Sequence, residues 1–280
     1  MTVEGSKEHL MAPRPWPVIL LPGGILPARP AYEALLGELG DEVDARAKDL
    51  EMYAGETVPP PGYSLETEVE GIRRLADRAG FETFHLVGYS AGGASSLAFA
   101  SRYPERLRSL ALMEPAWAGR EGQSDEEAAV FDRFRAIPRL PADQIMPAFV
   151  RTQLADGVEP PSPPPGPPPP WMPSRLAGIG GFIGAFEAYE PDFEVFRRFD
   201  RAVYFALGGR GNPDLYARMA ARLGAVFPDF TLDLYPDRHH FDPPHRIEPE
   251  RLATALRKLW GRMESRQEGP GFTITPRIDG

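Results

Sequence analysis

The sequence predicts an α/β fold: a mostly parallel central sheet with helices on both faces, interrupted by one long insertion. Three observations carry this. Apolar runs of strand length alternate with helix-length amphipathic segments over residues 16–113 and again over 202–263. A Gly-x-Ser-x-Gly stretch, Gly88-Tyr89-Ser90-Ala91-Gly92, lies between one such run and a small-residue helix. From about Ala118 to Asp200 the alternation stops and prolines gather.

In chain order, WPVILL (Trp16–Leu21) reads as the first strand and runs into Pro22-Gly23-Gly24-Ile25. Residues 31–39 form a short amphipathic helix, and 42–50 a strand with a polar face. Pro59-Pro60-Pro61-Gly62 is a loop. Ser64 then caps a helix, with Thr67 in place of the usual Glu, that ends at Gly80. Phe84-His85-Leu86-Val87 has the length and composition of a buried strand, and a helix follows over 94–102. Between them the turn is sharp, and the glycines two residues either side of Ser90 keep strand and helix from colliding. The Ser90 hydroxyl thus falls at the carboxyl end of the sheet, beside free helix amides that favour negative charge. With 28 glycines in the chain the motif alone is a weak signal; the strand before it and the helix after it make it specific. Residues 106–113 form the next strand, with Glu114-Pro115-Ala116-Trp117 as its exit.

The insertion holds helix-like segments at 126–136 and 142–154, then a proline tract over 160–173 that is expected to be extended. Trp171 and Met172 at its end suggest that the tract docks on something. Residues 178–189, with Phe182, Ile183 and Phe186, form an apolar helix. Strand–helix alternation resumes at 202–207, continues with a helix over 214–223, and reaches the last strand, FTLDLY, at 230–235. Asp237-Arg238-His239-His240-Phe241 follows, then a final amphipathic helix over 249–263. The tail, 264–280, is expected to be flexible.

Composition narrows the function classes. The 280 residues fit one large α/β domain with an insertion, and a 42% hydrophobic fraction suffices for a sizeable core. A formal net charge of −9 without a basic run argues against nucleic acid as a partner. No cysteine is present, so there is no disulfide framework, thiolate nucleophile or thiolate metal site. The first dozen residues lack a long apolar stretch, and no run is long enough to cross a bilayer, so a cytoplasmic protein without a membrane partner is expected. No metal cluster or dinucleotide-binding glycine fingerprint appears, and no cofactor is implied. Oligomeric state is not readable.

Over residues 15–263 the chain resembles the α/β-hydrolases, in particular the capped esterase, lactonase and haloperoxidase-like branch. The strand–Gly88-x-Ser90-x-Gly92–helix unit matches that family's nucleophile elbow, and the order serine, acid, histidine is also the family's. The resemblance implies a core of 15–117 plus 201–263 and a cap of 118–200, with the usual first two strands missing. It implies Ser90 as nucleophile, with oxyanion donors at the amides of Ala91 and Gly24; Ile25 is the alternative, and Pro22 stands where many relatives have His. His240 fits the base position, with His239 and His245 as alternatives. The acid departs from the common pattern, because Gly208-Gly209-Arg210-Gly211-Asn212-Pro213 contains no carboxylate. Glu114, after the preceding strand, is a position that some relatives use. Asp214, Asp237 and Asp242 are the other candidates. Ile25, Tyr89, Trp117, Trp171 and Phe182 are candidates for the pocket wall. The implied activity is hydrolysis of a small-molecule ester or lactone through an acyl-enzyme. Two alternatives stand beside it: a non-catalytic binding protein on this scaffold, and a carbon–carbon bond hydrolase or perhydrolase of the same fold.

Overall fold

Along WPVILL the side chains alternate between two separate cores. Ile19 and Leu21 join one, Val18 and Leu20 the other, and all four are fully buried. A strand buried on both faces belongs inside a sheet covered by helices on both sides. The computed structural model, which describes residues 14–162 and 165–267, has that arrangement. Its strands are β1 (Trp16–Leu21), β2 (Val43–Ala47), β3 (Phe84–Tyr89), β4 (Leu107–Met113), β5 (Ala202–Gly208) and β6 (Phe230–Tyr235). They form one sheet in the order β2-β1-β3-β4-β5-β6, every neighbouring pair parallel.

The helices are α1 (Ala28–Leu39), α2 (Leu65–Ala79), α3 (Ala91–Arg102), α4 (Asp125–Ala136), α5 (Ala142–Thr152), α6 (Met172–Glu187), α7 (Phe193–Arg197), α8 (Arg218–Val226), α9 (Pro244–Ile247) and α10 (Pro249–Gln267). One face of the sheet carries α1 and α10, through residues such as Tyr32, Leu35, Leu256 and Trp260. The other carries α2, α3 and α8, through Val69, Ile72, Leu97 and Met219. The segment joining β4 to β5 contributes α4–α7 to that second face, and α4 is fastened to α8 by a buried ion pair, Glu127 with Arg222 at 2.7 Å.

Several boundaries differ from the sequence expectation for local reasons. Helix α1 starts three residues early because the Asp49 carboxylate, from outside the helix, accepts the Ala28 amide at 2.8 Å. Strand β2 is shorter than 42–50 and lies at the edge of the sheet. Helix α6 starts at Met172 rather than 178, since Pro173 is tolerated in a first turn; the end of the proline tract is therefore helical, not extended. A π-helical turn, Pro213–Ala217, precedes α8. Helix α10 continues to Gln267, with Glu264 paired to Arg108 at 2.8 Å. The rest of the expected flexible tail, and the N-terminal residues read for a leader, lie outside the described residues.

Parallel strands bring their carboxyl ends to one edge. Because β2 lies on one side of β1 and β3 on the other, the chain reverses direction across the sheet there, which opens a crevice at that edge. The loops after β1, β3, β4, β5 and β6 meet at this crevice. Among the described residues no helix is long and apolar enough to cross a membrane.

Candidate active site

Ser90 sits on the turn between β3 and α3 with φ 54° and ψ −118°. Glu114, at the end of β4, has φ 43°. Among the described residues these are the two non-glycine positions with positive φ. Such strain persists only where surrounding structure over-determines it, and it concentrates at functional sites. Around Ser90 the restraint is visible. Its amide donates to the Met113 carbonyl at 3.0 Å, and its carbonyl accepts from the amides of Ala94 and Ala116. The flanking glycines permit the turn: a Cβ on Gly88 would lie 2.5 Å from the Gly92 carbonyl oxygen, and one on Gly92 2.4 Å from that of Leu21.

Three side chains from three different loops join in series. The Ser90 Oγ lies 3.0 Å from His240 Nε2, and His240 Nδ1 lies 2.9 Å from Glu114 Oε2. Glu114 Oε1 accepts the Gly208 amide at 2.8 Å. All three are buried. A carboxylate only accepts, so Nδ1 carries the proton and Nε2 is left to accept from the serine hydroxyl. Tyr216 stacks on the imidazole at 4.8 Å with planes 6° apart, and Tyr89 lies against its other neighbourhood at 5.0 Å, donating its hydroxyl to the His240 carbonyl. The Tyr216 hydroxyl donates to Gln153 Oε1 at 2.8 Å; burial pushes its pKa well above the usual phenol range, so it stays a neutral donor.

The remaining candidates lie elsewhere. Asp214 is about half exposed and pairs with Arg218 at 3.1 Å, in the first turn of its helix. Asp242 pairs with Arg238, and Asp237 is exposed. His239 accepts the Phe241 amide at its Nδ1, and partial burial lowers its pKa. His245 is buried between Tyr32 and Tyr89, and burial lowers its pKa to about 3.

Above Ser90 lies a cavity of about 50 Å³. Gly24, Ile25, Ser90 and Ala91 form its floor. Ala91 is the first residue of α3, so its amide has no partner within the helix. Gly23 brings the other loop close: a Cβ there would lie 2.7 Å from the Tyr89 ring. Phe182, Phe186, Ile179 and Ile183 from α6 form one wall, and Phe131, Phe134, Phe149 and Leu215 the other.

Of the five residues expected in the wall, Ile25 and Phe182 line the cavity; three do not. Tyr89 lies beneath His240. Trp117 is turned away, its indole donating to the Tyr189 carbonyl at 2.8 Å while its ring braces Phe131 from behind. Trp171 stands outside, with the Arg175 guanidinium 5.7 Å from its ring. Sequence reasoning missed Gln153, Tyr216 and the phenylalanines of α4 and α5. Phe131 and Phe134, three apart on one helix, carried a findable signal. Tyr216 carried none, because nothing local distinguishes it from a core tyrosine.

Comparison with known proteins agrees with this architecture. A family model described as the α/β hydrolase fold matches residues 47–161. A 2-hydroxy-6-oxo-6-phenylhexa-2,4-dienoate hydrolase of Comamonas testosteroni is 50% identical over 48 residues, 17% of each chain, so the match spans about a sixth of that relative's length. An esterase from Thermogutta terrifontis superposes with TM-score 0.66 at 18% identity, over 89% of this chain and 90% of that one. A 2-hydroxy-6-oxo-6-phenylhexa-2,4-dienoate hydrolase from a Rhodococcus species superposes with TM-score 0.60 at 18% identity, over 89% and 92%. The parallel sheet, the strained strand–serine–helix turn and these likenesses lead to one conclusion: the chain has the α/β-hydrolase fold.

Proposed function

We propose that the chain is a serine hydrolase that cleaves an uncharged, apolar ester or lactone through an acyl-enzyme. The observation that carries this reading is the hydrogen-bonded series Ser90–His240–Glu114 at the floor of an apolar cavity. His240 takes the Ser90 proton as the oxygen attacks the carbonyl, Glu114 holds the Nδ1 proton and stabilises the imidazolium, and the proton then passes to the departing alkoxide. Water repeats the steps on the acyl-enzyme and releases the acid. The amides of Ala91 and Gly24, or of Ile25 in its place, would hold the oxyanion, each worth roughly 2.7–4 kcal/mol. In this reading residues 15–117 and 201–263 supply the chemistry, and 118–200 act as a cap that shapes the acyl site.

Carbon–carbon bond hydrolysis is the second reading, and the names of the dienoate-hydrolase relatives favour it. The cavity wall opposes it. A dienoate carries a carboxylate, whereas the described residues lining this cavity include Glu187 and neither lysine nor arginine. A non-catalytic binding protein would be favoured if no acid served the histidine, since none follows β5; Glu114, hydrogen-bonded to His240 from the neighbouring strand end, argues against it.

The test is direct. A fluorophosphonate should label one site, and Ser90→Ala should abolish both labelling and ester turnover; labelling that survives in Ser90→Ala refutes the nucleophile. In a substrate panel, neutral aryl and alkyl esters should outpace a phenyl dienoate diketone. Preference for the dienoate would establish the carbon–carbon reading instead.

A further inference from the structure

Tyr53 lies in a 3-10 turn, Glu51–Tyr53, beyond β2 and outside the cavity lining. Its hydroxyl nevertheless donates to the Gly24 carbonyl at 2.5 Å, a contact between residues 29 apart in sequence. The turn that carries it is tightly held. Glu68, fully buried, accepts the amides of Glu51 and Met52 at 2.9 and 3.0 Å and the Tyr63 hydroxyl at 2.9 Å.

Helix α6 closes on the turn from the other side. A Cβ on Gly178 would lie 2.4 Å from the Tyr53 hydroxyl, and one on Gly181 would lie 2.9 Å from the Met52 methyl. Arg175, one turn before, sets its guanidinium 3.6 Å from the centre of the Tyr53 ring. Residues 175, 178 and 181 therefore make a single helix face shaped to Met52 and Tyr53, which gives Gly178 and Gly181 a physical reason in an otherwise apolar helix.

The loop that Tyr53 reaches needs such a hold. Gly23 and Gly24 are consecutive, and glycine leaves the adjoining peptide planes free to turn. A trans peptide carries its C=O and N–H on opposite sides. If the Gly24–Ile25 peptide flipped, a carbonyl oxygen would face the place an amide had faced, and would repel a developing oxyanion. We propose that Tyr53 is a positioning residue: by holding the Gly24 carbonyl it fixes the peptide that contains the Ile25 amide and adjoins the Gly24 amide, while α6 seats its hydroxyl. The inference rests on the hydrolytic reading of the site and links the segment above the cavity to the oxyanion loop below it.

Tyr53→Phe keeps the ring and removes the hydroxyl. The expected result is a fall in kcat of roughly 10- to 100-fold with KM little changed, short of the ~10²–10³-fold for losing a donor outright. Affinity for a trifluoromethyl ketone, which forms a tetrahedral oxyanion, should fall by the same factor as kcat/KM. Gly178→Ala, which crowds the hydroxyl, should move both quantities in the same direction. Gly184→Ala on the same helix, with no atom within 4 Å of its Cβ, should move neither. Unchanged kcat and inhibitor affinity in a folded Tyr53→Phe overturn the proposal. So does a crystal structure of that variant with the Gly24–Ile25 peptide unmoved, whatever the turnover; a turned peptide supports it. Failure of the hydrolytic reading is distinct, because it appears in the wild type as absence of fluorophosphonate labelling.

Discussion

Replacing Glu114 with Gln keeps the side chain's size and removes its charge. Glu114 uses both oxygens, one on the Gly208 amide and one on His240 Nδ1. Glutamine has one acceptor for these two donors. With its oxygen on Gly208, its NH₂ faces Nδ1; the ring proton then moves to Nε2, where it blocks uptake of the Ser90 proton. Turning the amide over restores the tautomer but sets NH₂ against the Gly208 N–H. A buried donor left unsatisfied costs about 1–3 kcal/mol, roughly 5- to 150-fold. The attraction for the imidazolium is lost as well, ~4 kcal/mol for charges ~4 Å apart at an effective dielectric of ~20, or about 10³-fold. The two together predict a fall of about 10⁴-fold in kcat, the size seen when a triad acid is neutralised. The assay is steady-state hydrolysis of a nitrophenyl ester by variants whose circular dichroism matches wild type. Asp214→Asn, altering a half-exposed carboxylate paired with Arg218, should stay near wild type. Rescue is also expected. A Cβ on Gly211 would lie 3.1 Å from Glu114 Oε1, so Glu114→Gly with Gly211→Asp should place a carboxylate in the same space and recover part of the rate. Less than a tenfold loss in Glu114→Gln, or a dead Asp214→Asn, refutes the reasoning.

Two further outcomes are expected. His245 has a folded pKa of about 3, against 6.5 when free, so below pH ~6.5 the unfolded chain binds a proton that the native state refuses. Stability should therefore fall as pH drops, by about 1.4 kcal/mol per unit and ~2 kcal/mol in total by pH 5. Both ring nitrogens lack hydrogen-bond partners among the described residues, so His245→Phe should remove that share of the slope; identical urea midpoint shifts from pH 7.5 to 5 in the two proteins would contradict it. Phe182→Ala opens the wall beside Gly24 and should shift kcat/KM toward bulkier acyl groups by several-fold to ~10-fold, whereas Trp171→Ala, outside the cavity, should leave the preference unchanged. A preference that follows Trp171 and ignores Phe182 would place the acyl site elsewhere.

Much of the core was legible because its signals are local. WPVILL and FTLDLY mark their strands through composition alone, and Gly88 and Gly92 mark a turn only glycine permits. Strand–helix alternation implies a parallel sheet, and a parallel sheet gathers the loops after its strands at one edge, so Ser90, Glu114 and His240 could be named together as candidates.

What sequence left open are choices that depend on distance. His239 and His240 are adjacent and chemically identical; only the turn after β6 decides that one faces Ser90 and the other its own loop. Glu114 and Asp214 both follow strands of the sheet, Glu114 directly and Asp214 after a loop, yet a left-handed backbone at Glu114 aims it inward, while the first-turn position of Asp214 directs it to Arg218. The cavity wall was hardest to read. Trp171 and Phe182 look equally apt in a list of aromatics, and only the packed fold shows that Phe182 reaches the cavity while Trp171 does not. Local pattern determined the sheet, the elbow and a short list of chemical groups. Which of those groups touch was decided by packing between segments 29 to 150 residues apart, where burial, strain and paired hydrogen bonds are satisfied only once the whole chain is in place.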